Sequence, residues 1–261
     1  MREMTKYFAG IDIGSVTTKA AIIDDGGVMV AGALVATGVS GRQAAQEAFR
    51  EALAACKLDR EQIDAIVTTG YGRNLAEFGG RAITEITCHA RGSFEYVQDA
   101  HLLIDIGGQD SKAISVRENG KVEGFQMNDR CAAGTGRFLE VMARALSTDV
   151  LGLSGMALGA SKCVAISNMC TVFAESEVVS LLARHTHPET IAAGLVDSVA
   201  ERVAAMAKKL VHYHRVFMSG GVTLNQAIVK ALGRALGTDV EVLPHPQLTG
   251  AYGAALLAGE L

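Results

Sequence analysis

The chain has 261 residues, of which 49% are hydrophobic and 20% are charged, a length that suits two linked lobes. Its formal net charge is −4 and it contains no basic run, no signal peptide and no apolar span of about twenty residues, so we expect a cytoplasmic protein without a nucleic-acid or membrane partner. Its five cysteines are odd in number and lack close framework spacing, which favours reduced thiols over a disulfide scaffold.

The sequence of the first third of the chain predicts a β-meander followed by further helices and a strand. Apolar periodicity and glycine turns predict strands over residues 7–13, 19–23, 28–35 and 63–68, and helices over 41–56 and 74–98. Residues 83–86 fit either a helix or a strand. The turn Thr69-Gly70-Tyr71-Gly72-Arg73 is of the kind found where backbone approaches a ligand.

An internal repeat is the strongest architectural signal. Residues 11–20 (Ile-Asp-Ile-Gly-Ser-Val-Thr-Thr-Lys-Ala) align with residues 104–113 (Ile-Asp-Ile-Gly-Gly-Gln-Asp-Ser-Lys-Ala), with six of ten positions identical. Each copy predicts a strand, a polar glycine turn and a second strand. We therefore expect an α/β protein with two related lobes, residues 1–98 and 99–261, in which a C-terminal helix at about 249–259 packs back on the first lobe.

Two cysteines lie ahead of predicted helices in the second lobe. Cys131 follows the capping residues Asn128 and Asp129, and Cys170 lies in the opening turn of the next helix. A helix start lowers a cysteine's pKa and can hold an anion such as a thiolate-ligated cluster, although buried structural thiols are an equally good interpretation of these two. Two thiolates do not complete a four-cysteine iron–sulfur site or a zinc site, and a second copy of the chain would supply the others. The remaining cysteines are predicted to be packing residues: Cys56, Cys88 and Cys163.

The other elements of the second lobe follow from the same periodicities. Strands are predicted over residues 122–127, 163–167 and 240–243, a long helix over 188–213, and strand, glycine turn and helix over 216–225. In the helix after Cys170, Ser167 and Asn168 are predicted caps, and Phe173 and Val178 are predicted to mark its apolar face.

The repeated turns carry the groups of a nucleotide site. Asp12 and Asp105 each end a strand beside backbone N–H groups and hydroxyls, so the carboxylates suit Mg2+ and the turns suit phosphate oxygens. One such turn alone would be an ordinary hairpin. Two copies, together with Thr69-Gly70 and Ser219-Gly220-Gly221, indicate a nucleotide site in the absence of the common phosphate-loop motifs.

This set of turns resembles that of the acetate and sugar kinase, heat-shock chaperone and actin superfamily. With Gly70-Tyr-Gly-Arg73, residues 126–138 (Gln-Met-Asn-Asp-Arg-Cys-Ala-Ala-Gly-Thr-Gly-Arg-Phe) and residues 170–177 (Cys-Thr-Val-Phe-Ala-Glu-Ser-Glu), the whole chain resembles the activators of 2-hydroxyacyl-CoA dehydratases. These are BadF/BadG/BcrA/BcrD-type ATPases, related to the ATPase subunits of benzoyl-CoA reductases. The resemblance implies a duplicated actin-like ATPase fold with two lobes and a nucleotide cleft.

The resemblance also implies cofactors and partners. One 4Fe-4S cluster per homodimer would be held by Cys131 and Cys170 of each subunit, beside one ATP/ADP and Mg2+ site per subunit. The implied activity, in anaerobic metabolism, is ATP-driven injection of a low-potential electron into a partner dehydratase or related iron–sulfur reductase, with ferredoxin or flavodoxin as the donor. Asp12 and Asp105 would hold Mg2+, and Gln109 would orient the attacking water. The candidate nucleotide-binding residues are Gly14, Ser15, Thr17, Thr18, Lys19, Gly107, Gly108, Asp110, Lys112, Gly220, Gly221, Asn225 and Gln247.

Two other functions stay open from the sequence. A small-molecule kinase of the same superfamily, with Asp105 or Asp110 as the base toward a substrate hydroxyl, accounts for the turns but leaves the cysteines unexplained. A non-catalytic nucleotide-gated sensor accounts for the two lobes alone. Iron and acid-labile sulfide, measured on anaerobically purified protein, would separate both from an activator.

Overall fold

Five strands form the first sheet of the computed structural model, which describes residues 5–75, 78, 80–166, 170–210 and 214–261. They are β1 (Tyr7–Ile13), β2 (Thr17–Asp24), β3 (Met29–Ala36), β4 (Ile63–Thr69) and β5 (Arg81–Ala82), in the spatial order β3-β2-β1-β4-β5. β1 runs antiparallel to β2 and parallel to β4. The register places Asp12 opposite Lys19 on one side and opposite Thr69 on the other.

The second sheet follows the same path. Its strands are β6 (His101–Ile106), β7 (Ser111–Val116), β8 (Val122–Asn128), β9 (Val216–Ser219) and β10 (Val240–Val242), in the spatial order β10-β9-β6-β7-β8. Read from its other edge this is β8-β7-β6-β9-β10, which matches the first sheet strand for strand. Asp105 lies opposite Ser219 just as Asp12 lies opposite Thr69. The ten-residue repeat in the sequence therefore belongs to a duplicated sheet.

Eight α-helices accompany the sheets in the described part of the chain. They are α1 (Gly41–Cys56), α2 (Glu85–Val97), α3 (Gly136–Ala145), α4 (Val150–Gly159), α5 (Thr171–Ala183), α6 (Pro188–Ala207), α7 (Gln226–Leu236) and α8 (Thr249–Gly259), with 3-10 turns at Arg60–Gln62 and Gly221–Leu224. Within the described residues no single helix is long and apolar enough to cross a membrane, and only α3 and α4 taken together, bent by 75°, meet the requirements of length and composition.

The chain divides into two compact units, where the sequence predicts a single boundary after residue 98. The first unit comprises the described residues of Met1–Ala100, Val116–Glu123 and Leu243–Leu261, and the second comprises those of His101–Ser115 and Gly124–Val242. The C-terminal segment and the tip of the β7–β8 hairpin thus belong to the first unit.

Helix α8 packs in the first unit against β1 and α2 through small residues. A side chain at Gly10 would collide with the backbone of α8, and one at Gly253 would collide with the carbonyl oxygen of Cys88 in α2. Backbone contact this close is possible only where no Cβ intervenes. It brings Gly250 to the end of β1, where a Cβ at that position would lie 3.3 Å from Oδ2 of Asp12.

The core of the second unit joins the two helices that follow Cys131 and Cys170. Phe138 and Met142 of α3, Val178 of α5 and Leu195 of α6 are buried in one apolar cluster. Burial of this kind stabilises each side chain by about 1.5–3 kcal/mol. Helices α3 and α5 therefore share a core and are held to each other.

Three predicted elements differ from the structure. Residues 163–166 form no strand, because Val164 donates its N–H to the carbonyl of Thr190 and the segment packs against α6. Helix α2 begins at Glu85, since Arg81–Ala82 pairs with β4 and Thr84 caps the helix. Helix α6 ends at Ala207, short of the predicted residue 213, which itself lies outside the described residues.

Candidate functional site

The turn after β1 surrounds a buried carboxylate. Asp12 is buried, and its Oδ2 accepts a hydrogen bond from Nζ of Lys19 at 3.2 Å. Gly70, with φ of +84°, follows β4 so closely that a side chain there would collide with Oδ1 of Asp12 and with the carbonyl of Ile13. Glycine is required here both for its conformation and for its lack of a Cβ.

Thr37, which is not among the predicted site residues, holds this turn in place. The hydroxyl of Thr37, just past β3, donates to the carbonyl of Gly14 at 2.8 Å and lies 2.9 Å from the hydroxyl of Thr18. Thr18 is fully buried, whereas Ser15 is exposed at the tip of the turn. Of the predicted phosphate ligands, Ser15 is thus open to solvent and Thr18 braces the turn. The sequence signal for Thr37 is a hydroxyl residue directly after β3, the strand that pairs with β2.

The turn after β6 contains a denser network of buried charge. Nζ of Lys112, whose side chain is only 1% exposed, lies 3.2 Å from Oδ2 of Asp105 and 2.9 Å from Oδ2 of Asp110. The hydroxyl of Ser219 donates to Oδ1 of Asp105 at 2.7 Å. Both oxygens of Asp105 therefore accept hydrogen bonds within the second unit, and Lys112 neutralises part of the charge of two carboxylates.

Equivalent glycines close the two turns. Gly220, with φ of +89°, follows β9 as Gly70 follows β4, and a side chain at Gly220 would collide with the carbonyl of Ile106 and come within 3.0 Å of Oδ1 of Asp105. Each unit thus has a carboxylate at a strand end, a lysine across the hairpin and a close-packed glycine on the parallel neighbour. Such turns place backbone N–H groups, which bind phosphate oxygens, close to a carboxylate, which binds Mg2+.

The two lysines occupy equivalent positions but differ in burial, and this leads to a stability prediction. Lys112→Met should destabilise the protein by about 3–5 kcal/mol, because it leaves buried carboxylate charge without its partner. Lys19→Met is the matched control, since the Lys19 side chain is 17% exposed and water can replace part of the interaction. Urea unfolding of both variants measures the difference. Equal midpoints of the two variants would show that the burial of Lys112 adds nothing to its contribution to stability.

The remaining predicted nucleotide residues lie in varied settings. Gln109 is exposed at the tip of the second turn. Asn225 is buried and caps α7, where its Oδ1 accepts from the N–H of Ile228 at 3.1 Å. Gln247 lines a cavity of about 330 Å³ together with β3 residues of the first unit. The roles of these three residues at a nucleotide stay predictions, and the side chain of Asn225 is engaged in capping α7.

Cys131 lies in a loop ahead of α3. It is half-buried against the core of the second unit, and Nδ2 of Asn128 donates to the carbonyls of Cys131 and Ala133, each at 2.9 Å. The helix cap is Thr135, and the prediction of Asn128 and Asp129 as caps is wrong because β8 continues through Asn128. Asn128 instead fixes the backbone of the cysteine loop.

Cys170 is the N-terminal cap of α5, and its carbonyl accepts the N–H of Ala174 at 2.8 Å. Its side chain is exposed. Val178 faces the core as predicted, but Phe173 is 62% exposed and Val172 67% exposed, so the apolar side of the first turn of α5 faces outward. The predicted caps Ser167 and Asn168 lie outside the described residues.

The other three cysteines have different surroundings. Cys88 is fully buried, and desolvation raises the pKa of its thiol to about 12, so it stays protonated at neutral pH. Cys56 is partly buried, and its Sγ donates to the carbonyl of Ala52 at 3.2 Å. Cys163 is exposed, which contradicts its prediction as a packing residue, because its segment lies in a surface loop and not in a strand.

Comparison with known proteins identifies the family to which the chain belongs and supports its fold. The sequence model of the BadF/BadG/BcrA/BcrD ATPase family matches residues 9–258. The activator of lactoyl-CoA dehydratase from Anaerotignum propionicum is 45% identical over 254 residues, which cover 97% of this chain and 98% of the relative.

Solved structures agree with this relationship. Component A of the (R)-2-hydroxyglutaryl-CoA dehydratase of Acidaminococcus fermentans superposes with a TM-score of 0.92 at 42% identity, covering 98% of each chain. The activator of the 2-hydroxyisocaproyl-CoA dehydratase from Clostridium difficile, solved with bound ADPNP, gives a TM-score of 0.91 at 41% identity, covering 97% of this chain and 94% of that one. Together with more distant similarity to kinases, these matches confirm the actin-like ATPase fold.

Proposed function

Because the chain belongs to the BadF/BadG/BcrA/BcrD ATPase family, we propose that it is an ATP-hydrolysing activator that serves a 2-hydroxyacyl-CoA dehydratase or a related iron–sulfur reductase. The observation that carries this proposal is the position of Cys131 and Cys170. Cys170 caps α5 and Cys131 lies in the loop before α3, and these two helices share one core in the unit that also contains the second turn.

The donor set fits an iron–sulfur cluster. Thiolate sulfur is the usual ligand of such clusters, and the side chain of Cys170 is exposed while that of Cys131 is only half-buried. Cys88 does not fit, since burial keeps its thiol protonated. Cys131 and Cys170 of two chains would hold one 4Fe-4S cluster, which when bound supplies one-electron chemistry at low potential.

The same residues support a homodimer as part of this proposal. One chain offers two of the four thiolates, and a two-fold axis is the simplest way to bring four together. The exposed apolar side chains of Val172 and Phe173 come directly after Cys170. Apolar groups at this point are suited to burial against a second copy, which would also cover the cluster.

The two turns act on the nucleotide in this proposal. We assign Mg2+ to Asp12, whose Oδ2 is engaged by Lys19, because both carboxylate oxygens of Asp105 already accept hydrogen bonds. Asp105 accepts from Lys112 and Ser219 and so holds the second turn in shape. Ser15 and the backbone N–H groups of both turns bind phosphate oxygens, and Gln109 orients the attacking water.

The mechanism divides the work between two sets of residues. Turnover of ATP at the turns changes their shape, and the chain responds at the loop of Cys131 and the start of α5, where the partner reductase is served. ATP hydrolysis acts here by changing the conformation of the protein. A nucleotide shifts a conformational equilibrium only when it binds the two conformations with different affinity. A ferredoxin or flavodoxin would supply the electrons.

Metal analysis tests the proposal directly. Anaerobically purified protein should hydrolyse ATP and contain about four iron and about four acid-labile sulfide atoms per two chains, the content of one cluster. With a ferredoxin-type reductant and ATP it should activate a 2-hydroxyacyl-CoA dehydratase. An iron-free protein that transfers phosphate from ATP to a small-molecule hydroxyl would instead establish a kinase.

A further inference from the structure

We infer that the second turn controls the cysteine loop through two backbone hydrogen bonds to the start of α3, an inference that rests on the proposed function. The N–H of Gly136 donates to the carbonyl of Gly107 at 2.9 Å, and the N–H of Arg137 donates to the carbonyl of Gly108 at 2.8 Å. Both acceptors lie in the second turn, and both donors belong to the helix that follows Cys131.

These bonds replace the usual cap of a helix. The first N–H groups of an α-helix have no partner within the helix and normally bond to a capping side chain or to water. Thr135 caps α3 by position, but its side chain makes no capping hydrogen bond and donates to the carbonyl of Ala132 at 2.6 Å. The second turn therefore does what a capping side chain does elsewhere, and α3 cannot shift along its axis without breaking bonds to the turn.

The second turn moves as one piece. The N–H of Gly107 donates to the carbonyl of Asp110 at 3.0 Å, and Lys112 bridges Asp110 and Asp105. A change in the position of either carboxylate is thus passed to the carbonyls of Gly107 and Gly108. Because packed and hydrogen-bonded elements move between discrete arrangements, the response is a shift of the turn and not a local bend.

The loop that contains Cys131 is also held by specific contacts. Asn128 holds the loop at Cys131 and Ala133, and Gly134, with φ of +85°, links the loop to Thr135 and α3. A side chain at Gly134 would come within 3.1 Å of Cδ of Arg202 in α6, so the loop has little room. A displacement of α3 must therefore displace this loop, and the shared core extends the displacement to α5 and Cys170.

One position allows a test that removes a single hydrogen bond. Gly136 is the first residue of α3, where proline is favoured and its missing N–H is harmless to the helix itself. Gly136→Pro therefore deletes the bond to Gly107 and preserves the helix. Gly136→Ala is the matched control, because it adds a Cβ 3.1 Å from the same carbonyl oxygen while retaining the N–H.

The measurement is amide hydrogen exchange of residues 129–135 in the purified full-length protein, with saturating ATP and with saturating ADP. Wild-type protein and Gly136→Ala should show exchange rates that differ between the two nucleotides by about fivefold, the factor that corresponds to one backbone hydrogen bond. In Gly136→Pro the ratio should fall to about one, while ATP binding is retained.

The outcomes separate the inference from the proposed function. If Gly136→Pro keeps the wild-type ratio, the hydrogen bonds do not carry the signal, although the protein remains an iron–sulfur ATPase by metal content and turnover. If wild-type protein shows no nucleotide dependence, the connection has nothing to transmit and the inference fails. Should Gly136→Pro lose ATP binding, Arg137→Pro and Arg137→Ala repeat the comparison at the bond to Gly108, with the same expected results.

Discussion

Cys131→Ser and Cys170→Ser should each purify with essentially no iron and yet hydrolyse ATP at close to the wild-type rate. Serine retains the size of cysteine but replaces a soft thiolate by a hydroxyl, which is a poor ligand for iron. At position 170 serine is also a good helix cap, so α5 should keep its start. Iron, acid-labile sulfide and ATP turnover, measured on the same anaerobic preparations, test the expectation.

Cys163→Ser is the matched control for these two variants. Cys163 belongs to the same unit and, like Cys170, is exposed, but it lies in a loop and not at a helix start. It should retain full iron content. Retention of a full cluster in either Cys131→Ser or Cys170→Ser would show that the ligands are assigned incorrectly.

Asp12→Asn should reduce ATP turnover by about 100-fold or more, because the neutral amide no longer attracts Mg2+ to the phosphates while it fits the same space. The iron content should hardly change, since Asp12 belongs to the first unit and the cluster cysteines to the second. Steady-state ATP hydrolysis at saturating Mg2+ measures the loss, and a partial recovery at higher Mg2+ would identify metal binding as the defect.

Asp105→Asn should also slow turnover, through the shape of the second turn that Lys112 and Ser219 hold. Asp149→Asn is the control for both substitutions, because asparagine caps α4 as well as aspartate does. If Asp12→Asn and Asp105→Asn both hydrolyse ATP normally, neither turn belongs to the active site.

Local sequence was enough to predict most of the architecture. The repeat of residues 11–20 in residues 104–113 predicted two related lobes, because a strand, a glycine turn and a returning strand are specified by residues that are neighbours in the chain. The same holds for Cys170, whose place at a helix start follows from the apolar spacing after it. The structure extends the repeat to the order of all five strands in each sheet.

What distinguishes the two turns was decided only by the tertiary structure. Lys19 and Lys112 are equivalent in the sequence, but Lys112 is buried between Asp105 and Asp110, and Asp105 is in turn bonded to Ser219, 114 residues further along the chain. The cap of α3 was missed for the same reason. Its partners are carbonyls of Gly107 and Gly108, and a backbone carbonyl is present in every residue, so no side-chain pattern marks it. Burial and backbone pairing depend on which distant segments meet, and that is settled only when the chain has folded.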